Sequence, residues 1–395
     1  MISKDWQSLL EGTYKRRHWL HQHPELKWEE QATAAFIRQQ LTAMEIPWRS
    51  CAGTGTVACL APTPPSCGAG HSASGQSGQS GQSGHLAFRA DIDALPIEET
   101  SGLPYTSLHP GKMHACGHDG HTAALLATAE WFKGNEAVLP GPVSFLFQPA
   151  EEGGHGAQKM IEDGALDGID AIYGWHNWPA MRLGQAACPE GAVMSGNATF
   201  HIRLKGRGGH ASQPEAARDP VLGAAALVVD LQQIVSRRLP PQVPAVVSVT
   251  SIDARSSLTV IPEHVRIEGS IRFSDSAWRD PIFQWITEIS QRTAAAYGVE
   301  ASVETVPRYD ATVNHALPSA LFREALSEHF GEPLDAGDIR LPLMASEDFS
   351  YYLKKIPGAF ALIGMAEANQ KETICNTPCH SPFYIFNDAV LEPVV

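Results

Sequence analysis

The chain has 395 residues, 43% of them hydrophobic and 18% charged, with a formal net charge of −14. That length exceeds what one hydrophobic core usually supports, so two domains are expected, and the composition is that of an ordinary globular protein. The acidic balance excludes nucleic acid as the main partner, because phosphate recognition needs a basic footprint.

Met1 to Leu20 carries Lys4, Asp5, Glu11, Lys15, Arg16 and Arg17 and has no apolar core of a cleavable signal peptide. No apolar run reaches the length of a membrane span, so no membrane partner is expected. Seven cysteines scattered over a long chain make no disulfide framework, and a reducing cytoplasm with free thiols is the simplest expectation.

Gly55–Leu60 reads as a strand. The Ser/Gly-rich stretch 66–84, with its repeated Gly-Gln-Ser, reads as a flexible loop inserted in a hairpin between that strand and the apolar His85–Ala90. Helical patterns occupy His121–Lys133 and Ala157–Asp163. Val143–Gln148, Asp170–Gly174 and Ala359–Gly364 are short, nearly continuous apolar runs, as expected of strands buried on both faces.

The pattern changes between 194 and 306. Thr199–Lys205 alternates, with Phe200, Ile202 and Leu204 on one face. A helix follows, capped by Asp219 with Pro220 in its first turn and a stripe of Val221, Ala225, Val228, Leu231 and Val235. Strands at Ala245–Ile252 and His264–Phe273, a helix from Pro281 to Tyr297 and a strand at Val299–Val306 complete a β-α-β-β-α-β order. That order is the split βαβ arrangement. The expected fold is therefore α/β in two domains. An α/β/α sandwich formed by 1–193 and 307–395 is interrupted by a smaller split-βαβ (ferredoxin-like) domain at 194–306.

Candidate metal ligands gather just after the buried strands, in Arg89–Pro96, Met113–His121, Gln148–Gly153, Trp175–Pro179 and Cys379–Pro382. Sites in open α/β sheets form beyond the carboxyl ends of strands, so these loops are placed to converge. Cys116 and His118, two residues apart, suit a borderline transition metal. The adjacent carboxylates of Glu151 and Glu152 cannot cheaply share a buried site without a cation; one as ligand and its neighbour as base resolves this. Taken singly, each feature has a plainer reading: His176 between two tryptophans is ordinarily a hydrogen-bonded core histidine, Asp91 and Asp93 are too common a pattern to assign, and Cys375 with Cys379 lacks the second pair of a zinc signature.

The runs RADIDALPIEE, MHACGHDGHTA, FQPAEEGGHGAQKMIEDGAL, HNWP, GRGGHASQP, SEDFSYY and CHSPFYIFND, with LHQHPELKWEE near the start, resemble the di-metal family of hippurate hydrolases, bacterial aminoacylases and auxin-conjugate amidohydrolases. The resemblance spans nearly the whole chain in order. It implies metal-dependent hydrolysis of the amide bond of small N-acyl amino acids by a metal-activated water. Cys116 would bridge two divalent metal ions, His118 and His176 hold one, and Glu152 and His380 the other. Glu151 would be the general base and His210 would stabilise the oxyanion from a lid formed by the small domain, with Asp93 and Asp119 orienting ligands. The metals would be zinc or manganese, with cobalt or nickel as further options, and the chain would be a homodimer through the small domain.

Two departures stand out. Thr259 precedes Val260-Ile261-Pro262 where the family commonly has an Asn that binds the substrate carboxylate, leaving Arg272 to contribute. The last helix, where relatives continue past the position of Val395, is expected to be short, with the site intact. Two other readings stand beside the aminoacylase one: a metallo-dipeptidase or carboxypeptidase, and a non-catalytic ligand-binding scaffold. The presence of every motif ligand and of Glu151 counts against the scaffold.

Overall fold

A computed structural model describes residues 4–61, 84–331, 334–367 and 377–395. The Gly-Gln-Ser stretch and Cys375 lie outside the described residues. The chain divides into two compact units: Met1–Gly191 with Val313–Ile339 and Tyr351–Val395, and Ala192–Thr312 with Arg340–Ser350.

The first unit opens with helices α1 (Lys4–Gln22) and α2 (Gln31–Ala43), then β1 (Trp48–Cys51), β2 (Gly55–Leu60) and β3 (Leu86–Asp91). Next come α3 (His118–Gly134), β4 (Val143–Gln148), α4 (Gly156–Glu162), β5 (Ala171–Arg182) and β6 (Ala186–Ala187), and the strand Gly358–Ala366 closes the set. Seven strands form one sheet in the order β1, β2, β4, β3, β5, Gly358–Ala366, β6. Its centre is parallel: β3 pairs with β4 and β5, and Gly358–Ala366 with β5. Every residue of β4 and of Gly358–Ala366 is buried, which is why both read as unbroken apolar runs.

Two sequence expectations change here. β2 and β3 do not form a hairpin, because β4 lies between them; β2 pairs antiparallel with β1 and β4. The hairpin reading assumed that neighbours in sequence are neighbours in the sheet, whereas a doubly covered central strand such as β3 takes parallel partners from farther along the chain. Nor does β5 stop at Gly174: it continues through Trp175, His176 and Asn177 to Arg182, so His176 sits on a strand.

In the second unit, four antiparallel strands lie in the order Ala245–Asp253, His264–Phe273, Gly196–Lys205, Glu300–Pro307. Helices Pro220–Leu231 and Arg279–Ala296 share one core with this sheet, through Leu227, Leu231, Ile282 and Ile286 against Phe200, Ile202, Ile267 and Ile271. Asp219 caps the first helix by accepting from Val221 N and Leu222 N. The buried stripe of that helix is Gly223, Ala224, Leu227 and Leu231, while Val221 is 38% exposed. The expected stripe was therefore rotated about the axis: in so apolar a helix, periodicity does not single out the inner face. Residues Arg340–Ser350, read from sequence as part of the sandwich, are bonded within this unit, with Ser195 N donating to Leu343 O (2.8 Å) and Arg272 to Ser346 Oγ (2.9 Å).

Helix α1 docks on α3 through a buried ionic cluster. Arg17, with no exposed surface, bonds Asp119 at 3.2 Å and also pairs with Asp388. His21 sits between Asp119 Oδ2 (2.8 Å) and Glu99 Oε1 (3.1 Å). Burial alone would depress the imidazolium, but the hydrogen bonds to Asp119 and Glu99 outweigh it and raise the His21 pKa to about 9. A raised pKa in the folded state contributes stability that is complete below the ordinary value of 6.5 and is lost as pH climbs through about 9. Urea unfolding between these limits should therefore show wild-type stability falling by up to about 3 kcal/mol. His21→Gln should be less stable at the low end and nearly flat across the window; an equally steep fall in the variant would place the titration elsewhere.

Candidate metal centre

The parallel strands bring their carboxyl ends to one edge of the sheet. β3 and β4 pair up to Asp91 with Gln148, and β3 and β5 up to Phe88 with Tyr173. Three steps beyond those last two residues lie Asp91 and His176. Asp93 follows β3, Ala150, Glu151 and Glu152 follow β4, and the N-terminus of α3 adds Cys116 and His118. This is where an open α/β sheet presents functional groups. The entry into α3 depends on Gly117, whose φ is 100° and whose Cβ would fall 2.1 Å from Asn177 Oδ1; no larger residue fits.

Potential ligand atoms form several groups whose members lie within 4.8 Å of one another: Cys116 with His118 and His176, Cys116 with Glu152 and His380, and His118 with Glu151 and Glu152. Cys116 belongs to the first two, so the five residues expected as ligands are brought together around one thiol, with a Glu151 carboxylate oxygen beside them. Cys116 Sγ lies 3.4 Å from His176 Nε2, and Glu152 Oε1 lies 3.1 Å from His380 Nε2. His380 is exposed and takes φ 67°; its amide donates to Ala115 O at 2.7 Å, which ties the C-terminal segment to the loop before α3.

The donor chemistry fits a divalent cation. His118 Nδ1 donates to Asp93 O at 2.9 Å and His176 Nδ1 to Asn177 O at 2.6 Å, so Nε2 is the ligand atom left in each ring. Burial holds the His176 imidazole well below its ordinary pKa. For His118, burial is outweighed by Asp91 and Asp93, which raise the pKa, and its Nε2 lies 3.6 Å from Asp91 Oδ2; a bound cation would take the place of that Nε2 proton. His118 Nε2 and Glu152 Oε1 are buried without a hydrogen-bond partner; the short approach of His380 to Glu152 is not aligned as a hydrogen bond. Contact with Cys379, burial and the nearby Glu152 and Glu151 hold the Cys116 thiol well above its ordinary pKa. A bound cation would reverse that balance and deprotonate the thiol.

Around this cluster, Asp93 makes the most direct link to the expected base. Its Oδ1 accepts from Glu151 N at 3.1 Å and its Oδ2 from Glu152 N at 2.9 Å, while its backbone oxygen holds His118. Asp91 was left unassigned from sequence, and His121 and Asn177 were not singled out. His121 bridges Asp91 Oδ1 (2.6 Å) and Asn177 Oδ1 (2.7 Å), and Asp91 also accepts from Arg89 at 2.8 Å. Burial works against ionisation of Asp91, but the charges of His118, Arg89 and His121 overcome it and hold the carboxyl well below its ordinary pKa. Two signals could have found this set: 89, 91 and 93 share one side of an extended strand, and 118 and 121 share one helix face. Asp119 bonds instead to His21 and Arg17, and its contacts thus secure α1 rather than a ligand side chain.

The remaining expected residues belong to the second unit. His210 is exposed, and its Nδ1 accepts from Ser212 N at 3.2 Å with Ser212 Oγ at 2.7 Å. That leaves the proton on Nε2. His210 pairs with Val260 across a short two-stranded ladder, and Thr259 O accepts from Ala211 N at 2.9 Å. Arg272 is partly buried and bonded to Ser346, and burial lowers its pKa.

Comparison with known proteins points the same way. The profile of peptidase family M20/M25/M40 matches residues 87–384. An N-acetyl-L-cysteine deacetylase of Bacillus subtilis is 42% identical over 350 residues, covering 88% of this chain and 79% of the relative. A hippurate hydrolase of Campylobacter jejuni is 34% identical, covering 97% and 94%. Among solved structures, the YXEP protein of Bacillus subtilis, described as a dinuclear metal binding peptidase from the M20 family, superposes with a TM-score of 0.78 at 30% identity, covering 98% and 96%.

Serine ionises far less readily than cysteine, so Cys116→Ser removes the anionic ligand that the two groups share. Titration of metal-free protein with zinc should show affinity falling at least roughly tenfold, with the fold retained by circular dichroism. Unchanged zinc binding in this variant would remove Cys116 from the ligand set.

Proposed function

Since this chain belongs to peptidase family M20/M25/M40 and is a hydrolase of that family, we propose that it cleaves the amide bond of small N-acyl amino acids, with acetyl, benzoyl or similar acyl groups. The observation that supports this most directly is the pair of ligand groups sharing Cys116, with a third group joining the Glu151 carboxylate to His118 and Glu152. The named activities of relatives, deacetylation of N-acetyl-L-cysteine and hydrolysis of hippurate, agree in substrate class.

Cys116, His118, His176, Glu152 and His380 would hold two divalent ions, zinc or manganese, which would supply Lewis acidity and lower the pKa of water. Glu151 takes the proton of the attacking water as the water oxygen bonds to the acyl carbon. It then delivers that proton to the amide nitrogen as the carbon–nitrogen bond breaks, releasing a carboxylate and a free amino acid. Asp93 holds the backbone that carries Glu151, so the base is aimed without rearrangement during turnover. His210, protonated at Nε2, is the donor we assign to the developing oxyanion, supplied within the chain or from a second copy. Arg272 is the cation we assign to the substrate carboxylate, with Thr259 in place of a carboxamide.

A homodimer through the second unit is part of this proposal, supported by the apolar surface of Leu222 and Val229, 56% and 70% exposed on one helix. A cytoplasmic location is another part, supported by five free cysteines among the described residues. No described helix is long and apolar enough to cross a membrane.

Release of free amino acid from a panel of N-acetyl and N-benzoyl amino acids, with and without a chelator, tests the reading. Chelator-sensitive release is expected; release from dipeptides alone would favour a peptidase. Glu151→Gln should lower kcat by about 10²- to 10⁴-fold with bound metal unchanged, and activity near wild type would remove Glu151 as the base. His210→Asn should lower kcat by about 10²- to 10³-fold without altering metal content.

A further inference from the structure

The segment 24–30, part of the LHQHPELKWEE run, carries none of the ligands or reacting groups assigned above, yet it is bonded to both loops that bear the site's carboxylates. Leu26 bridges Ala94 in parallel register, and Ala94 N donates to Glu25 O at 2.8 Å, next to Asp93. The Glu25 carboxylate accepts from Ala32 N (3.1 Å), Thr33 N (2.8 Å) and Thr33 Oγ1 (2.9 Å), capping the first turn of α2 and so placing Glu30 at its start. Lys27 Nζ donates to Glu152 O at 2.7 Å.

Glu30 is the centre of this arrangement. It has no exposed surface, which is unusual for a carboxylate. Its Oε1 accepts from Ala150 N at 2.9 Å and its Oε2 from Thr54 Oγ1 at 2.7 Å. Ala150 has φ 53°, a left-handed conformation that costs a non-glycine residue on the order of 1 kcal/mol. Three consecutive amides, those of Ala150, Glu151 and Glu152, thus each donate to a buried carboxylate from another segment: Glu30 for the first and Asp93 for the other two. Successive N–H groups converging on carboxylates fix a turn that the chain would not otherwise keep. Gly156 closes it from the far side, since a Cβ there would fall 1.6 Å from Pro149 O.

We propose that Glu30 is a positioning residue for Glu151 and Glu152, holding the left-handed Ala150 turn by accepting its amide so that the base and the neighbouring ligand project into the Cys116 cluster. The inference rests on the reading of Glu151 as base and Glu152 as ligand. Glu30 touches neither substrate nor metal and acts only through the backbone.

The test compares four variants in the full-length protein, with zinc alone as the probe. Glu30→Met keeps the bulk and removes the acceptor, while Glu30→Asp keeps an acid but draws it back from Ala150 and covers the case in which the Met variant does not fold. Both should lose roughly ten- to hundredfold in zinc affinity, and kcat should fall by a similar factor with KM little changed. Glu30→Gln retains an oxygen that accepts the Ala150 amide and should keep both quantities near wild type. Thr54→Val removes only the other hydrogen bond of Glu30; it should lower the melting temperature and leave zinc affinity unchanged. Wild-type zinc affinity in both Glu30→Met and Glu30→Asp overturns the proposal. So does a loss in Thr54→Val equal to theirs at equal stability, because the role is then structural only. If wild-type protein hydrolyses none of the N-acyl amino acids, the functional reading falls, and the zinc titrations still decide the role of Glu30.

Discussion

The arrangement of the first unit depends on one electrostatic constraint: too many acidic groups are withdrawn from water in one place. Glu151 and Glu152 are adjacent in sequence and meet the thiol of Cys116 in overlapping ligand groups, with Asp91 and Asp93 buried behind them. Anions held this close in a poorly solvated setting repel one another, and burial penalises each charge further. A divalent cation is the economical compensation. Backbone carbonyls engage Nδ1 of His118 and His176, which leaves Nε2 of each as the atom that such a cation would take.

The scaffold meets this demand by dividing the labour among carboxylates. Asp93 is spent on backbone, accepting two amides of the Glu151–Glu152 turn, and Asp91 is spent on Arg89 and His121. Neither is an isolated buried charge, because each is compensated by several donors. Two of the buried atoms without a hydrogen bond, His118 Nε2 and Glu152 Oε1, belong to the cluster; Asp119 Oδ1 and both ring nitrogens of His114 are also without one and belong to no ligand group.

The N-terminal helices stabilise this arrangement from outside it. α1 contributes Arg17 and His21 to Asp119, directly after His118 in α3, and the segment leading into α2 contributes Glu25, Lys27 and Glu30 to the loops after β3 and β4. These contacts join residues between 69 and 125 positions apart, so their closure is a property of the folded unit and not of any local segment. They also explain why two ionisable side chains of a charge-rich N-terminal helix are buried: Arg17 and His21 have no exposed surface because each is matched by carboxylates.

How much of this was legible beforehand differs by kind of information. Unbroken apolar runs revealed the doubly covered strands, alternation revealed Phe200, Ile202 and Leu204 as an inner face, and the family motifs drew attention to Cys116, His118, Glu151, Glu152, His176 and His380. These are features that residue type and short-range spacing encode directly. Strand order was not among them: β4 between β2 and β3 is a choice among parallel partners that local pattern does not register. The inner face of the Pro220–Leu231 helix was misread because an apolar helix offers no contrast between its sides. Asp119 turned out to serve α1, and Glu30, Asp91 and His121 took their places through bonds to residues dozens of positions away. By itself, the sequence determined which chemical groups the protein possesses and the local elements that carry them. Only the tertiary structure decided which carboxylates face the cluster and which hold its backbone, because that assignment is made by long-range hydrogen bonds that exist only once the strands and helices have packed.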